Sequence, residues 1–333
     1  MTHATRMQAI DFDTFGPPDV LHTCERPMPT LRPDDLLLRV HAAGVNRADL
    51  NLRQGKYGER ASFGDSMLMG LELCGTVVAQ GEHVDTPRLG QRVMGIVGGG
   101  AYAAFARIPS NMAVEVPTHL SDVQAAALME ALVTAHQALV HLGQLQAGQA
   151  VLIHGAGGGV GTLLVQMAAQ RGASVIATTS SGRKHDALQT LGATLTIDYQ
   201  QQDFLEAIRT QTPAGGVDLI VDCIGGPYLE RNIRALNVAG RLIQLGLQDG
   251  ASGSLPLDLV LHRRLRIEGT VMKTVSQAEK AAMTARAIQA WANHLETGRL
   301  QALIAETFPL SEASRAHHYV EHNNNIGKVV LTV

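Results

Sequence analysis

Residues 150–181 read AVLIHGAGGGVGTLLVQMAAQRGASVIATTSS, and this stretch decides the fold. The run Val151-Leu152-Ile153 reads as a short buried strand. It enters a turn holding Gly155, Gly157, Gly158, Gly159 and Gly161, which opens onto a helix-period segment, Val160 to Gln170. A second apolar run, Ser174 to Thr178, follows. Strand, glycine turn, helix and parallel strand make up a nucleotide-binding βαβ unit. Glycines suit the turn because it is tight, because backbone must approach a pyrophosphate, and because a side chain would separate helix from strand. The helix N-terminus then offers unpaired N–H groups and a positive dipole end to the phosphates. The spacing is Ala156-x-x-Gly159-x-Gly161 rather than strict G-x-G-x-x-G. A glycine cluster alone also serves purely structural turns; the βαβ context on both sides is what points to a dinucleotide.

The chain has 333 residues, which suggests two domains, and 45% hydrophobic residues, enough for a sizeable core. With 27 Lys and Arg against 30 Asp and Glu, the net charge of −3 offers no electrostatic grip on nucleic acid or an anionic membrane. Aromatics make up 4%, too few for base-stacking platforms. Cys24, Cys74 and Cys223 lie far apart with no C-x-x-C pair, so neither a disulfide framework nor a structural zinc site is indicated, and a reducing cytosol fits best. No basic-then-apolar leader opens the sequence and no run approaches the ~20 apolar residues of a membrane span. The expectation is a cytoplasmic protein.

Up to about residue 125 the chain reads mainly as short strands with Gly and Pro punctuation: Met7–Ile10, Leu36–Ala43, Gly75–Ala79, Leu89–Gly95 and Ala101–Ala106. Ser121-x-x-Gln124 is a capping box that starts a long helical run, Ala125 to Leu142. Beyond Ala150 strands and helices alternate, with further strands at Thr194–Ile197, Val217–Val221, Gly240–Gly246 and Leu265–Met272. Helices are expected at Asp203–Thr210 and Tyr228–Leu236. Six strands complete a doubly wound sheet. A helix from Ala278 to Thr297 and a strand from Lys328 to Thr332 close the chain.

The end of the second strand selects the cofactor. An acid there would bind the ribose hydroxyls and repel a 2′-phosphate. Here the chain reads Thr178-Thr179-Ser180-Ser181-Gly182-Arg183-Lys184, with no acid before Asp186. Hydroxyl donors followed by two cations suit a phosphate, which favours NADPH. No G-x-S-x-G elbow and no H-E-x-x-H occurs, and the 14 histidines are scattered, with His317-His318 reading as part of a solvated helix. The chemistry expected is the positioning of a hydride donor against an electrophilic acceptor, with a hydrogen bond to the charge that develops.

The stretches GVNRADLNLRQGKY (44–57), GLELCG (70–75), GGGAYA (98–103), HGAGGGVGT (154–162), VDLIVDCIGG (217–226) and NNNIGKVVL (323–331) extend that reading. Nearly end to end, the chain resembles the zinc-independent quinone oxidoreductases of the medium-chain dehydrogenase/reductase superfamily, of the p53-inducible and ζ-crystallin-like type. The resemblance implies an α/β fold: a GroES-like β-barrel catalytic domain, expected at 1–125 and 273–333, and a doubly wound Rossmann domain, expected at 126–272, with NADPH in the cleft. It implies that Asn46 and Tyr57 line the nicotinamide and substrate site, as the catalytic residues, and that Thr134 contacts the carboxamide region. It matches Gly158, Gly159 and Val160 to the pyrophosphate turn and Ser181, Lys184 and Tyr199 to the 2′-phosphate grip. Leu245 and Gly246 fall under the cofactor, and Asn325 at a C-terminal contact. Leu71 stands where zinc alcohol dehydrogenases carry the His of G-H-E, while Glu72 remains. No metal is therefore expected. Gly157, where many relatives have Ser, and Asp198, where Asn is common, depart from the pattern. The implied activity is NADPH-dependent reduction of quinones or activated enones. The last parallel strand, Leu265–Met272, is a candidate edge for pairing into a homodimer. The alternatives are a 2-enoyl thioester reductase and a non-catalytic NADPH-sensing or RNA-binding protein.

Overall fold

The structure, a computed structural model, describes residues 6–58 and 66–333. It divides into one compact unit made of 1–131 and 276–333 and a second made of 132–275.

The first unit opens with the hairpin β1 (Arg6–Asp11) and β2 (His22–Pro27), followed by β3 (Asp35–Val45), α1 (Arg47–Arg53), β4 (Glu72–Gln80), β5 (Arg92–Ile96), β6 (Phe105–Pro109), β7 (Ala113–Glu115) and α2 (Asp122–Ala126). α3 (Met129–His136) begins here and runs into the second unit. β3 is the hub, because period-2 alternation buries Leu36, Leu38, Val40 and Ala42.

The second unit runs β8 (Ala150–Ile153), α4 (Gly159–Gln170), β9 (Ser174–Thr179), α5 (His185–Thr190), β10 (Leu195–Asp198), α6 (Phe204–Gln211), β11 (Val217–Asp222), α7 (Tyr228–Ala235), β12 (Leu236–Gln244), α8 (Leu257–Arg263) and β13 (Arg266–Gly269). Its strands are ordered β10-β9-β8-β11-β12-β13 and all pairs are parallel, the doubly wound order with its switch point between β8 and β11. Ile176, Leu152, Ile220 and Leu242 stand side by side in register across four of these strands, each buried. Burial of such a side chain contributes ~1.5–3 kcal/mol. α4 is apolar nearly all round, and Gly161 to Ala168 are buried without a break.

The chain then returns to the first unit as α9 (Gln277–Glu296), β14 (Ile304–Pro309), α10 (Ala313–Glu321) and β15 (Lys328–Thr332). There β15 lies between β14 and β3 in the order β14-β15-β3-β4-β5-β7, with β6 pairing β3 as well. Val329 pairs with Val45 and Ala43 with Leu73, so the end of β3 and the starts of β4 and β15 meet at one edge.

Several sequence expectations are corrected. The long helix from Ala125 to Leu142 is broken after α2, and beyond α3 its last part, Gln137–Leu142, is π-helical. Gly143 accommodates that change: its N–H reaches back to the Ala138 carbonyl at 2.9 Å, and a Cβ on it would lie 2.3 Å from that oxygen. Ala101–Ala106 forms no continuous strand. Gly99 and Gly100, at φ of 108° and 95°, turn the chain so that Ala101 and Tyr102 bond to Gly70 and Met69, and only β6 pairs with β3. The last parallel strand is shorter than Leu265–Met272.

Candidate functional site

In the second unit, the site is built at the carboxyl ends of the parallel strands. β8 leads through His154 into the glycine turn. Gly155 adopts φ 65°, a left-handed conformation that favours glycine, and a Cβ there would lie 2.8 Å from Cys223 Sγ. Gly158 caps α4, and the first bond back into the helix runs from Thr162 N–H to the Gly158 carbonyl at 2.9 Å. The N–H groups of Gly159, Val160 and Gly161 therefore have no intrahelical acceptor, the arrangement that receives a phosphate. A Cβ on Gly161 would meet Gly155 O at 2.5 Å and Ala156 Cα at 2.6 Å, so helix and turn touch backbone to backbone.

The 2′-phosphate candidates lie beside this turn. Lys184 passes over Gly157: its Cδ is 2.8 Å and its Nζ 3.6 Å from the place a Gly157 Cβ would take. Burial of the half-buried lysine, and then the neighbouring Arg183 charge, lower its pKa. Ser181 ends the segment after β9 and its Oγ accepts the Arg183 N–H at 3.3 Å. Tyr199 follows β10, is held by its N–H on the Thr179 carbonyl at 3.1 Å, and exposes its ring. Asp198, the acid that departs from the expected pattern, accepts the Gln200 N–H at 3.0 Å in a local turn. At the end of β12, Leu245 N–H bonds to the Asp222 carbonyl at 2.7 Å, and Gly246 lies against Cys223. Thr134 is half-buried on α3.

Sequence reading missed the buried layer beneath the turn. His154 Nδ1 lies 3.0 Å from Thr178 Oγ1 and its Nε2 2.8 Å from Asn232 Oδ1; Asn232 Nδ2 donates to Asp222 Oδ2 at 3.0 Å. Edge-on contacts with Phe204 and Tyr228 complete the enclosure, and burial lowers the imidazole pKa. His154, Thr178 and Asp222 stand at the ends of apolar strands and Asn232 lies on α7, a weak signal that only strand order turns into a network.

The first unit carries the other candidates. Asn46 follows β3 and caps α1, and its N–H donates to Asp49 Oδ2 at 2.9 Å. Asp49 is fully buried; it also accepts Gly70 N–H at 3.2 Å and Tyr102 Oη–H at 3.3 Å. Burial pushes its pKa up to about 7, against the pull of the Asn46 and Gly70 N–H groups and of Lys328. Tyr102 Oη is also 3.3 Å from His317 Nε2. His317, expected on a solvated face, is fully buried on α10, and burial followed by the Arg53 charge brings its pKa down to about 3. His318 alone of that pair faces outward, as the 3.6-residue period of an inward-packed helix requires.

Asn46 Nδ2 donates to Glu72 Oε1 at 2.9 Å, and Asn46 Oδ1 accepts from Lys328 Nζ at 2.6 Å. Lys328 also pairs with Glu72 Oε1, and Glu72 Oε2 accepts the Glu130 N–H at 3.0 Å. Lys328, unmarked by sequence reading, was legible only as a cation opening an apolar strand. Tyr57 follows α1 half-buried, bonded to the Asn51 side chain, with its pKa raised by burial. Asn325 Nδ2 donates to the Gly327 carbonyl at 2.7 Å within its own turn. Among the described residues, no group of three or more His, Cys, Asp or Glu is placed to hold a metal ion.

Comparison with known proteins agrees with this architecture. Residues 32–118 match the alcohol dehydrogenase GroES-like domain and residues 159–288 the zinc-binding dehydrogenase family. The quinone oxidoreductase of Sus scrofa is 30% identical over 328 residues, covering 98% of this chain and 97% of that protein. A mycocerosic acid synthase-like polyketide synthase of Mycobacterium tuberculosis is 30% identical over 301 residues, 90% of this chain, which spans only 14% of that protein's length. A mycobacterial protein solved in complex with NADPH superposes with a TM-score of 0.88 at 27% identity, covering 98% of this chain and 100% of that one. By sheet order, glycine turn and end-to-end similarity, the chain belongs to the medium-chain dehydrogenase/reductase superfamily, in its quinone oxidoreductase branch.

Proposed function

We propose that the chain is an NADPH-dependent reductase of quinones or related activated enones. The observation that carries the cofactor is the second parallel strand, which ends without an acid and leads to Ser181 and to Lys184 lying over the glycine turn. The turn fits a dinucleotide, because three helix N–H groups lack intrahelical acceptors and Gly161 leaves no space for a side chain. In this reading Gly158, Gly159 and Val160 hold the pyrophosphate, and Ser181, Lys184 and Tyr199 the 2′-phosphate. Leu245, Gly246, Thr134 and Asn325 complete the cofactor contacts. When bound, the reduced nicotinamide supplies a hydride, and a solvent proton completes the hydroquinone. Asn46 and the Tyr57 hydroxyl orient the acceptor, and Tyr57 donates to the oxygen that gains charge. The relative solved with NADPH and the quinone oxidoreductase relatives support both halves.

The second reading, reduction of a 2-enoyl thioester, draws on the polyketide synthase relative. The two are separated by steady-state turnover with NADPH: a quinone is expected to be reduced faster than crotonyl-CoA, and the reverse order would transfer the function to thioesters.

We also infer a homodimer paired through β13. All four of its residues are exposed at the sheet edge, and no residue of the adjoining α8 is buried, with Leu257 69% and Leu261 74% exposed. An open strand edge flanked by apolar side chains suits pairing with a second copy across a two-fold axis. Sedimentation at micromolar concentration is expected to give a dimer, and Ile267→Asp with Leu261→Asp a monomer; a wild-type monomer would end this inference. A cytosolic setting is in keeping with three cysteines that form no disulfide. No helix among the described residues is long and apolar enough to cross a membrane.

A further inference from the structure

Resting on the acceptor role proposed for Asn46, we infer that Lys328 is a positioning residue that holds the Asn46 amide in one orientation, so that Asn46 meets its ligand only as a hydrogen-bond donor. An ammonium donates three hydrogen bonds and accepts none, and a carboxylate accepts only. Lys328 Nζ, 2.6 Å from the Asn46 side chain, must therefore face its oxygen. Glu72 Oε1, 2.9 Å away, must face its nitrogen. A flipped amide would set NH2 against NH3+ and oxygen against carboxylate, so the two neighbouring charges leave one arrangement.

The ion pair itself has little freedom to move. The Lys328 and Glu72 side chains are 4% and 1% exposed, and the second Glu72 oxygen is held by the Glu130 N–H at 3.0 Å. A Cβ on Gly44 would lie 2.4 Å from Glu72 Oε1, so the β3 backbone closes the remaining side. Asp49, below Asn46, accepts the Asn46 backbone N–H and turns its own N–H toward the Asn46 side chain in the capping box, which braces the amide further. A pair this buried is a poor way to gain stability alone, because desolvation offsets the attraction. It is an effective way to orient an amide between two charges.

The chemical consequence is selective. With Oδ1 facing both the Lys328 ammonium and, in the capping box of α1, the Asp49 N–H, and with one Nδ2 hydrogen on Glu72, the second Nδ2 hydrogen has, among the described residues, the Gly44 carbonyl at 3.5 Å. That distance is the outer limit of a hydrogen bond, so a ligand oxygen competes well for the hydrogen. Asn46 therefore favours acceptor oxygens, such as the carbonyls of a quinone or enone, over ammonium or amide N–H groups, which can only donate.

The test uses the full chain with NADPH and a quinone. Lys328→Met is expected to lower kcat about 100-fold, the scale on which loss of one oriented donor acts, with NADPH affinity, read by nicotinamide fluorescence, unchanged. Lys328→Arg should recover most of the loss. Lys328→Met strands Glu72 as a buried unpaired charge, so Glu72→Gln with Lys328→Met serves as the folded reference: it should melt cooperatively and still lose kcat. A folded double variant with wild-type kcat would overturn the inference. Orientation has its own readout in the Asn46 side-chain amide 15N and 1H resonances, assigned through Asn46→Asp. These should be two distinct, slowly exchanging proton signals in the wild type and should merge or shift in the double variant; identical spectra would refute the orienting role. Absence of quinone or enone reduction by the wild type would instead refute the function proposed above, and the resonances would still decide the role of Lys328.

Discussion

Gly161→Val is expected to abolish dinucleotide binding while leaving the first unit folded. The position of the missing Cβ is 2.5 Å from Gly155 O and 2.6 Å from Ala156 Cα, and both obstacles are backbone. A flexible side chain could move aside; here only α4 or the turn can. α4 is buried from Gly161 to Ala168, so it has nowhere to withdraw. Overpacking of this kind costs about 3 kcal/mol. The turn, which has one face open to a ligand, is the part that yields, and the N–H groups of Gly159 and Val160 turn away from a phosphate. Titration of nicotinamide fluorescence should show at least a ~100-fold loss of affinity, equivalent to about 2.7 kcal/mol. Wild-type affinity in the variant would mean that the pyrophosphate binds elsewhere.

Lys184→Ala is expected to remove the preference for NADPH over NADH. The lysine lies over Gly157, half-buried, with its pKa lowered first by burial and then by Arg183. A partly desolvated ammonium gains more from a phosphate than an exposed one, because the surrounding dielectric screens the pair less. A charge-assisted hydrogen bond contributes ~1.5–3 kcal/mol, so NADPH affinity should fall roughly 10- to 100-fold while NADH affinity holds. An unchanged ratio in the variant would remove Lys184 from the 2′-phosphate site. Gly157 supports the same expectation from the other side. A Ser there would crowd the Lys184 Cδ, so the smaller residue gives the lysine its path across the turn.

How far the sequence could be read depended on the distance over which each property is encoded. The βαβ unit at 150–181 was legible because strand, turn and helix periods are local, and the observed β8, α4 and β9 follow them closely. The absence of an acid after β9 is equally local. The helix from Ala125 was misread at the break between α2 and α3 and beyond His136, because the helix formers there give no sign of either the break or the π-turn that ends at Gly143. His317 was placed on a solvated face because His-His is polar in sequence; its burial depends on Tyr102, 215 residues away along the chain. The same holds for Lys328 and Glu72, 256 residues apart, which meet only because β15 and β4 flank β3. Buried polar networks join the ends of neighbouring strands, and strand order is not written in any one strand.

The most direct measurement mixes the full chain with NADPH and a quinone, follows the loss of nicotinamide absorbance, and repeats the reaction with NADH. The expected result is one NADPH oxidised per quinone reduced, with NADPH favoured by at least ~10-fold, the worth of one charge-assisted contact. Failure of every quinone and enone to accelerate NADPH oxidation, or equal rates with NADH, would contradict the account.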